Sequence, residues 1–147
     1  MKPSSARPAF VAVLLLLAHT AMSQISVGTK PIYSIEFKPG MNTAVVEGTV
    51  SPPKTVGPDM TNEGSERYLL SARAGQYLTM EVSSKNHQAL FTLVKPSPSE
   101  AKIEFVEKAG GVRRWSGRLK MSGDYLVIVF TRQQAGLSRF KLHVTLR

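Results

Sequence analysis

The side chains best suited to recognition chemistry gather in three stretches of the C-terminal third of this sequence. Arg113-Arg114-Trp115-Ser116-Gly117-Arg118 sets three arginines around the only tryptophan, a combination able to hold an anion or to lay a guanidinium on an aromatic face. Ser122-Gly123-Asp124-Tyr125 brings a hydroxyl, a carboxylate and a phenol together around Gly123-Asp124, a dipeptide that favours a tight turn. Arg132 precedes the polar stretch 133–138 (QQAGLS), and a charge at a strand end beside a loop is where binding groups sit on rigid scaffolds.

Bond-breaking chemistry is poorly provided for. The chain has no cysteine, which excludes a disulfide framework, a thiolate metal site, an iron–sulfur cluster and a thiol nucleophile. His87 lies in a polar loop (SSKNHQ), and His143 stands between Lys141 and Arg147 on a strand face, so both read as solvated side chains rather than metal ligands. HExxH, GxSxG and a glycine-rich loop leading into a helix are all missing. The ten acidic residues are scattered singly and form no pair suited to hydrolysis. The chain is therefore read as non-enzymatic, without cofactor or metal.

Strands must position these residues. Period-two alternation recurs between turn signals, and nothing after the first residues has the 3.6-residue period of a long amphipathic helix. The expected strands are 33–37, 43–50, 66–73, 77–83, 88–94, 112–120, 124–132 and 139–147, with Ile103 and Phe105 alternating before a Gly110-Gly111 hairpin turn. Strands 66–73 and 77–83, joined by Ala74-Gly75-Gln76, read as an antiparallel hairpin. Residues 51–65 (SPPKTVGPDMTNEGS) hold three prolines, and with residues 95–100 (KPSPSE) they read as loops. Trp115 shares its parity with Gly117, Leu119 and Met121, which turns the indole toward the core. The predicted fold is all-β: a single antiparallel β-sandwich, jelly-roll-like, of about eight strands. A domain of this size buries about 65% of its unfolded surface and can be stable without disulfides.

Charge and compartment come from the two ends. Lys2 and Arg7 flank an apolar run at 9–18 (AFVAVLLLLA), and Ala21-Met22-Ser23 presents small residues before Gln24; this is the pattern of a cleavable signal peptide over 1–23, leaving a domain of 24–147. The apolar run is half the length of a transmembrane span, so no anchor is expected. Loss of Lys2 and Arg7 lowers the net charge from +9 to +7, and the whole excess lies after Glu100. Nucleic acid is an improbable partner for an exported chain. An anionic cell-envelope polymer or lipid headgroup suits a basic face built from Arg113, Arg114, Arg118, Lys141 and His143.

A family resemblance narrows the partner. The succession IEFKPG (35–40), Ala44, Gly48, Tyr68, AGQ (74–76), W-x-G-x-L (115–119), SGDY (122–125) and TR (131–132) resembles the bacterial periplasmic inhibitors of goose-type lysozyme, which are similar in turn to the pre-peptidase C-terminal domain. The resemblance implies a small β-sandwich, periplasmic or secreted, whose partner is a goose-type lysozyme. It also implies that Ser122, Gly123, Asp124 and Tyr125, with Arg132 as the nearby basic residue, enter the enzyme's active-site cleft. The proline-rich stretch 51–65 is longer than that family leads one to expect.

Overall fold

A computed structural model describes residues 30–53, 64–97, 103–132 and 135–147. The expected signal peptide, and residues 54–63 of the proline-rich loop, lie outside the described residues. Eight strands form: β1 (Ile32–Ser34), β2 (Thr43–Val50), β3 (Glu66–Ala72), β4 (Tyr77–Ser84), β5 (Ala89–Val94), β6 (Arg114–Arg118), β7 (Gly123–Thr131) and β8 (Ser138–Leu146). They make two four-stranded sheets, ordered β1-β3-β7-β5 and β2-β8-β4-β6. Every pairing is antiparallel except β1 with β3, which is parallel. The β-sandwich read from the sequence is the fold observed.

Alternation explains the layering, because successive side chains on a strand point to opposite faces. In the first sheet Tyr68, Leu70, Phe91, Leu93, Tyr125, Val127 and Val129 are buried; in the second, Leu78, Met80, Val82, Phe140, Leu142 and Val144. These residues form one continuous core between the sheets, each large apolar side chain contributing about 1.5–3 kcal/mol. Tyr68 and Phe140 meet across the layer at 6.4 Å between ring centres, nearly edge to face. That geometry aligns the positive ring edge with the negative ring face.

Three local expectations give way to the sheet. The pair 66–73 and 77–83 is not a hairpin: β3 pairs with β7 while β4 pairs with β6 and β8. Both strands carry their apolar face toward the same layer from opposite sides, so the chain crosses from one sheet to the other at Arg73–Gln76. That turn is closed by the Gln76 amide donating to the Arg73 carbonyl at 3.2 Å. Residues 103–112 do not form a hairpin with β6 either. They fold back along β5, with bridges Val94–Phe105 and Phe91–Val112, because the Val106 amide and the Ala109 carbonyl both bond to Leu93. The first strand begins one residue earlier than expected and runs for three residues before the Ile35 amide bonds the Leu69 carbonyl.

Burial chiefly, with the nearby Glu66 charge and Tyr33 adding to it, pushes the Tyr68 phenol up to about 12 from 10.0. A raised phenol favours the folded state while it stays neutral. Its contribution is complete below pH 10 and is lost as the pH climbs toward about 12. The urea midpoint is expected to fall between pH ~9 and pH ~11.5, and Tyr68→Phe should make that fall smaller. An unchanged pH dependence in the variant would mean that Tyr68 is not the titrating group.

Candidate functional site

Of the expected Ser122–Tyr125 loop only Ser122 precedes a strand: Gly123, Asp124 and Tyr125 are the first residues of β7, paired with Ala72, Ser71 and Leu70. The Tyr125 side chain is buried at 2% exposure, where an unpaired phenol would be costly. Its hydroxyl donates to the Met121 carbonyl at 2.8 Å and accepts from the Met121 amide at 3.3 Å. One buried ring thus closes the chain segment on which Ser122, Gly123 and Asp124 stand exposed. Burial raises the Tyr125 pKa, opposed by the Met121 hydrogen bond and the positive charge of Lys95.

Neighbouring segments hold the loop from outside. The Ala74 amide donates to Ser122 Oγ at 2.9 Å, and Ser71 Oγ donates to the Asp124 carboxylate. Gly123 adopts φ +137°, and a Cβ there would stand 2.8 Å from Cβ of Pro96. Glycine is therefore required twice over, by backbone conformation and by space. The Arg118 guanidinium donates from Nη1 to the Gly75 carbonyl at 2.7 Å, which fixes a cation on the same turn that supports Ser122. Exposed Tyr77 pairs with Arg118, and exposed Met121 opens the loop.

Arg132 does not join this group. β7 runs unbroken from Gly123 to Thr131, and at about 3.4 Å per residue it places Asp124 and Arg132 about 27 Å apart. The arginine stands exposed at the opposite end of the sandwich. The basic side chains that do border the loop are Arg118, Lys95 and Lys120. Arg118 is singled out in the sequence only as part of a basic face. The Ala74-Gly75-Gln76 turn that links it to Ser122 is visible there as a turn but not as a support.

Four residues of the expected basic face stay together. Arg114, Arg118, Lys141 and His143 lie on the outer face of the second sheet, where Arg114 pairs with Glu81 and Lys141 with Glu47, both at 2.7 Å. Those partners hold both carboxylates below their usual range, chiefly through the hydrogen bonds. Arg113 instead reaches Nδ1 of His87 at 3.1 Å. The indole of Trp115 is half-buried against the core, so the inward expectation holds for part of the ring.

Chemically, this end of the sandwich offers a hydroxyl, a carboxylate and cations on a hydrogen-bonded support, which suits contact with another molecule. Among the described residues no three His, Cys, Asp or Glu side chains group as metal ligands, and no helix is long and apolar enough to cross a membrane. Replacing Gly123 by Ala should destabilise the fold by about 1–3 kcal/mol. Gly136→Ala, where a Cβ meets nothing within 4 Å, should be near neutral. Urea unfolding of the two variants tests this, and equal midpoints would refute the constraint.

No protein-family model matches the chain, and no curated protein sequence matches it. Solved structures do match, by fold. The crystal structure of Aeromonas hydrophila PliG, a periplasmic lysozyme inhibitor of g-type lysozyme, superposes with a TM-score of 0.63 at 22% identity, over 79% of this chain and 96% of that one. Salmonella Typhimurium PliG, another periplasmic inhibitor of g-type lysozyme, gives 0.56 at 19% identity, over 81% and 100%. A mutant of the Escherichia coli inhibitor gives 0.52 at 17%, over 79% and 97%. The chain has the fold of these inhibitors across nearly their whole length.

Proposed function

We propose that this protein is an exported inhibitor of a goose-type lysozyme, and that Ser122 with the exposed start of β7, Gly123 and Asp124, backed by Tyr125, enters the enzyme's cleft. The observation that carries the reading is the bracing of an exposed strand end: Tyr125 bonds back to Met121, the Ala74 amide bonds Ser122, and Gly123 and Asp124 pair with β3. Ordering a free backbone on binding costs about 1–2 kcal/mol per residue. A loop already held in place avoids most of that loss. The fold shared with periplasmic inhibitors of g-type lysozyme and the export signal read in residues 1–23 support the same conclusion.

Inhibition follows from charge and occlusion together. A lysozyme needs its catalytic glutamic acid protonated in a partly desolvated groove. A guanidinium brought beside that group favours the carboxylate and removes the general acid. Arg118, fixed to the Gly75 carbonyl, is assigned this role, and Arg132, at the far end of β7, is assigned none in the same contact. Nanomolar binding requires about −12 kcal/mol. One ion pair is too small for that, so a matched surface of about 800 Å² per partner supplies the rest, with Tyr77 and Met121 as its exposed apolar members.

Titration of the mature protein into a turbidity assay of cell-wall lysis should inhibit goose-type lysozyme and spare the chicken and invertebrate types. Arg118→Ala should weaken inhibition by about 2–5 kcal/mol, and Arg132→Ala by less than ~0.5 kcal/mol. Lysis by goose-type lysozyme that continues at saturating wild-type protein refutes the function. A loss on Arg132→Ala with none on Arg118→Ala refutes only the assignment of the cation.

A further inference from the structure

Beside the loop, between β6 and the segment that folds back along β5, lies a cleft of about 430 Å³. Its apolar lining comes from Val106, Trp115, Leu119 and Tyr125, and its charged lining from Lys95, Lys108, Arg118 and Lys120 against Glu107 alone. Pockets of a few hundred cubic ångströms with an apolar lining and a few convergent charges are the usual form of small-molecule sites.

The walls are fixed. Trp115 Nε1 donates to the Glu107 carbonyl at 3.1 Å, which ties the indole to the Val106–Ala109 turn, itself closed by the Ala109 amide bonding the Val106 carbonyl at 3.0 Å. The far edge of the indole lies over Gly117, where a Cβ would come within 2.8 Å of Cζ2. A side chain at 117 would push the ring out of the place it occupies.

Lys108 sits in that turn at φ 59°, a left-handed conformation that glycine adopts at less cost than any lysine. Lys108 is one of four cations lining the cleft. Lys108 and Lys120 have neither an ion pair nor a side-chain hydrogen bond among the described residues. Lys95 shares its charge with Glu104 at 3.2 Å, and Arg118 spends one nitrogen on the Gly75 carbonyl. Lys108, Arg118 and Lys120 are exposed, so an anion entering the cleft meets them as counter-charges and hydrogen-bond donors.

We infer that this cleft is a binding site for a small amphipathic organic anion, its carboxylate held by Lys108 and Lys120 and its apolar body laid along Trp115, Val106 and Leu119. The site is read without lysozyme, so its failure would leave the proposed inhibition intact. Trp115 is the chain's only tryptophan and reports directly on the cleft. Titration of the mature protein with octanoate should change the Trp115 emission saturably, with a dissociation constant of about 1 mM or tighter. Octanol and octylamine should each bind at least ~10-fold more weakly, because they share the body but lack the negative charge. Lys108→Gly should weaken octanoate binding by about tenfold while leaving the urea midpoint unchanged or raised, since the variant relieves the strained φ. Lys120→Ala, at an exposed side chain, should weaken it similarly and gives the same reading should Lys108→Gly fold poorly. Equal response to octanoate and octanol, or an octanoate titration unaltered in both lysine variants, overturns the inference.

Discussion

The apolar layer between the two sheets has to hold this fold closed without help from disulfides, and the rest of the molecule is arranged around that requirement. Tyr125 shows how the constraint reaches the surface. Its ring belongs to the core cluster, and its phenol cannot stay there unpaired. The hydroxyl satisfies itself on both backbone groups of Met121, so burying one aromatic ring shapes the loop that stands outside the sandwich. The segment proposed to bind is thereby tied down by the same burial that folds the domain.

The crossing between β3 and β4 ties the two sheets to that loop. Because the strands face each other across the core instead of lying side by side, their short connection stands at the end of the sandwich. There the Ala74 amide meets Ser122 and the Gly75 carbonyl meets Arg118. One turn therefore positions a hydroxyl from before β7 and a cation from the end of β6. Three segments far apart in the chain converge on a few backbone groups.

Positive charge is distributed differently from how it looks along the chain. On the outer face of the second sheet, Glu47 and Glu81 each take up a cation; both carboxylates are highly solvated, and such pairs add little stability. At the other end, Lys108 and Lys120 have no such partners among the described residues, and Arg118 bonds the Gly75 carbonyl. Of the ten basic residues after Glu100, Lys108, Arg118 and Lys120 line the cleft beside the loop, and the others lie elsewhere on the chain.

Much of this was legible in one dimension. The parity of Tyr68, Leu70 and Ala72, of Leu78, Met80 and Val82, and of Phe140, Leu142 and Val144 states which faces are buried, and eight such segments with turns between them make a sandwich. The distance to Arg132 was implicit as well, since an unbroken strand from 124 to 132 carries its two ends far apart. Local alternation says only which face of a strand is apolar. It does not say which strands lie beside it, because partner choice depends on how every apolar face fits a single layer. For that reason the sequence by itself determined the β-sandwich, the loop's residues and the excess of positive charge. Only the tertiary structure decided that Arg118 stands by Ser122, on the turn between β3 and β4, and that Lys108, Lys120 and Trp115 line one cleft.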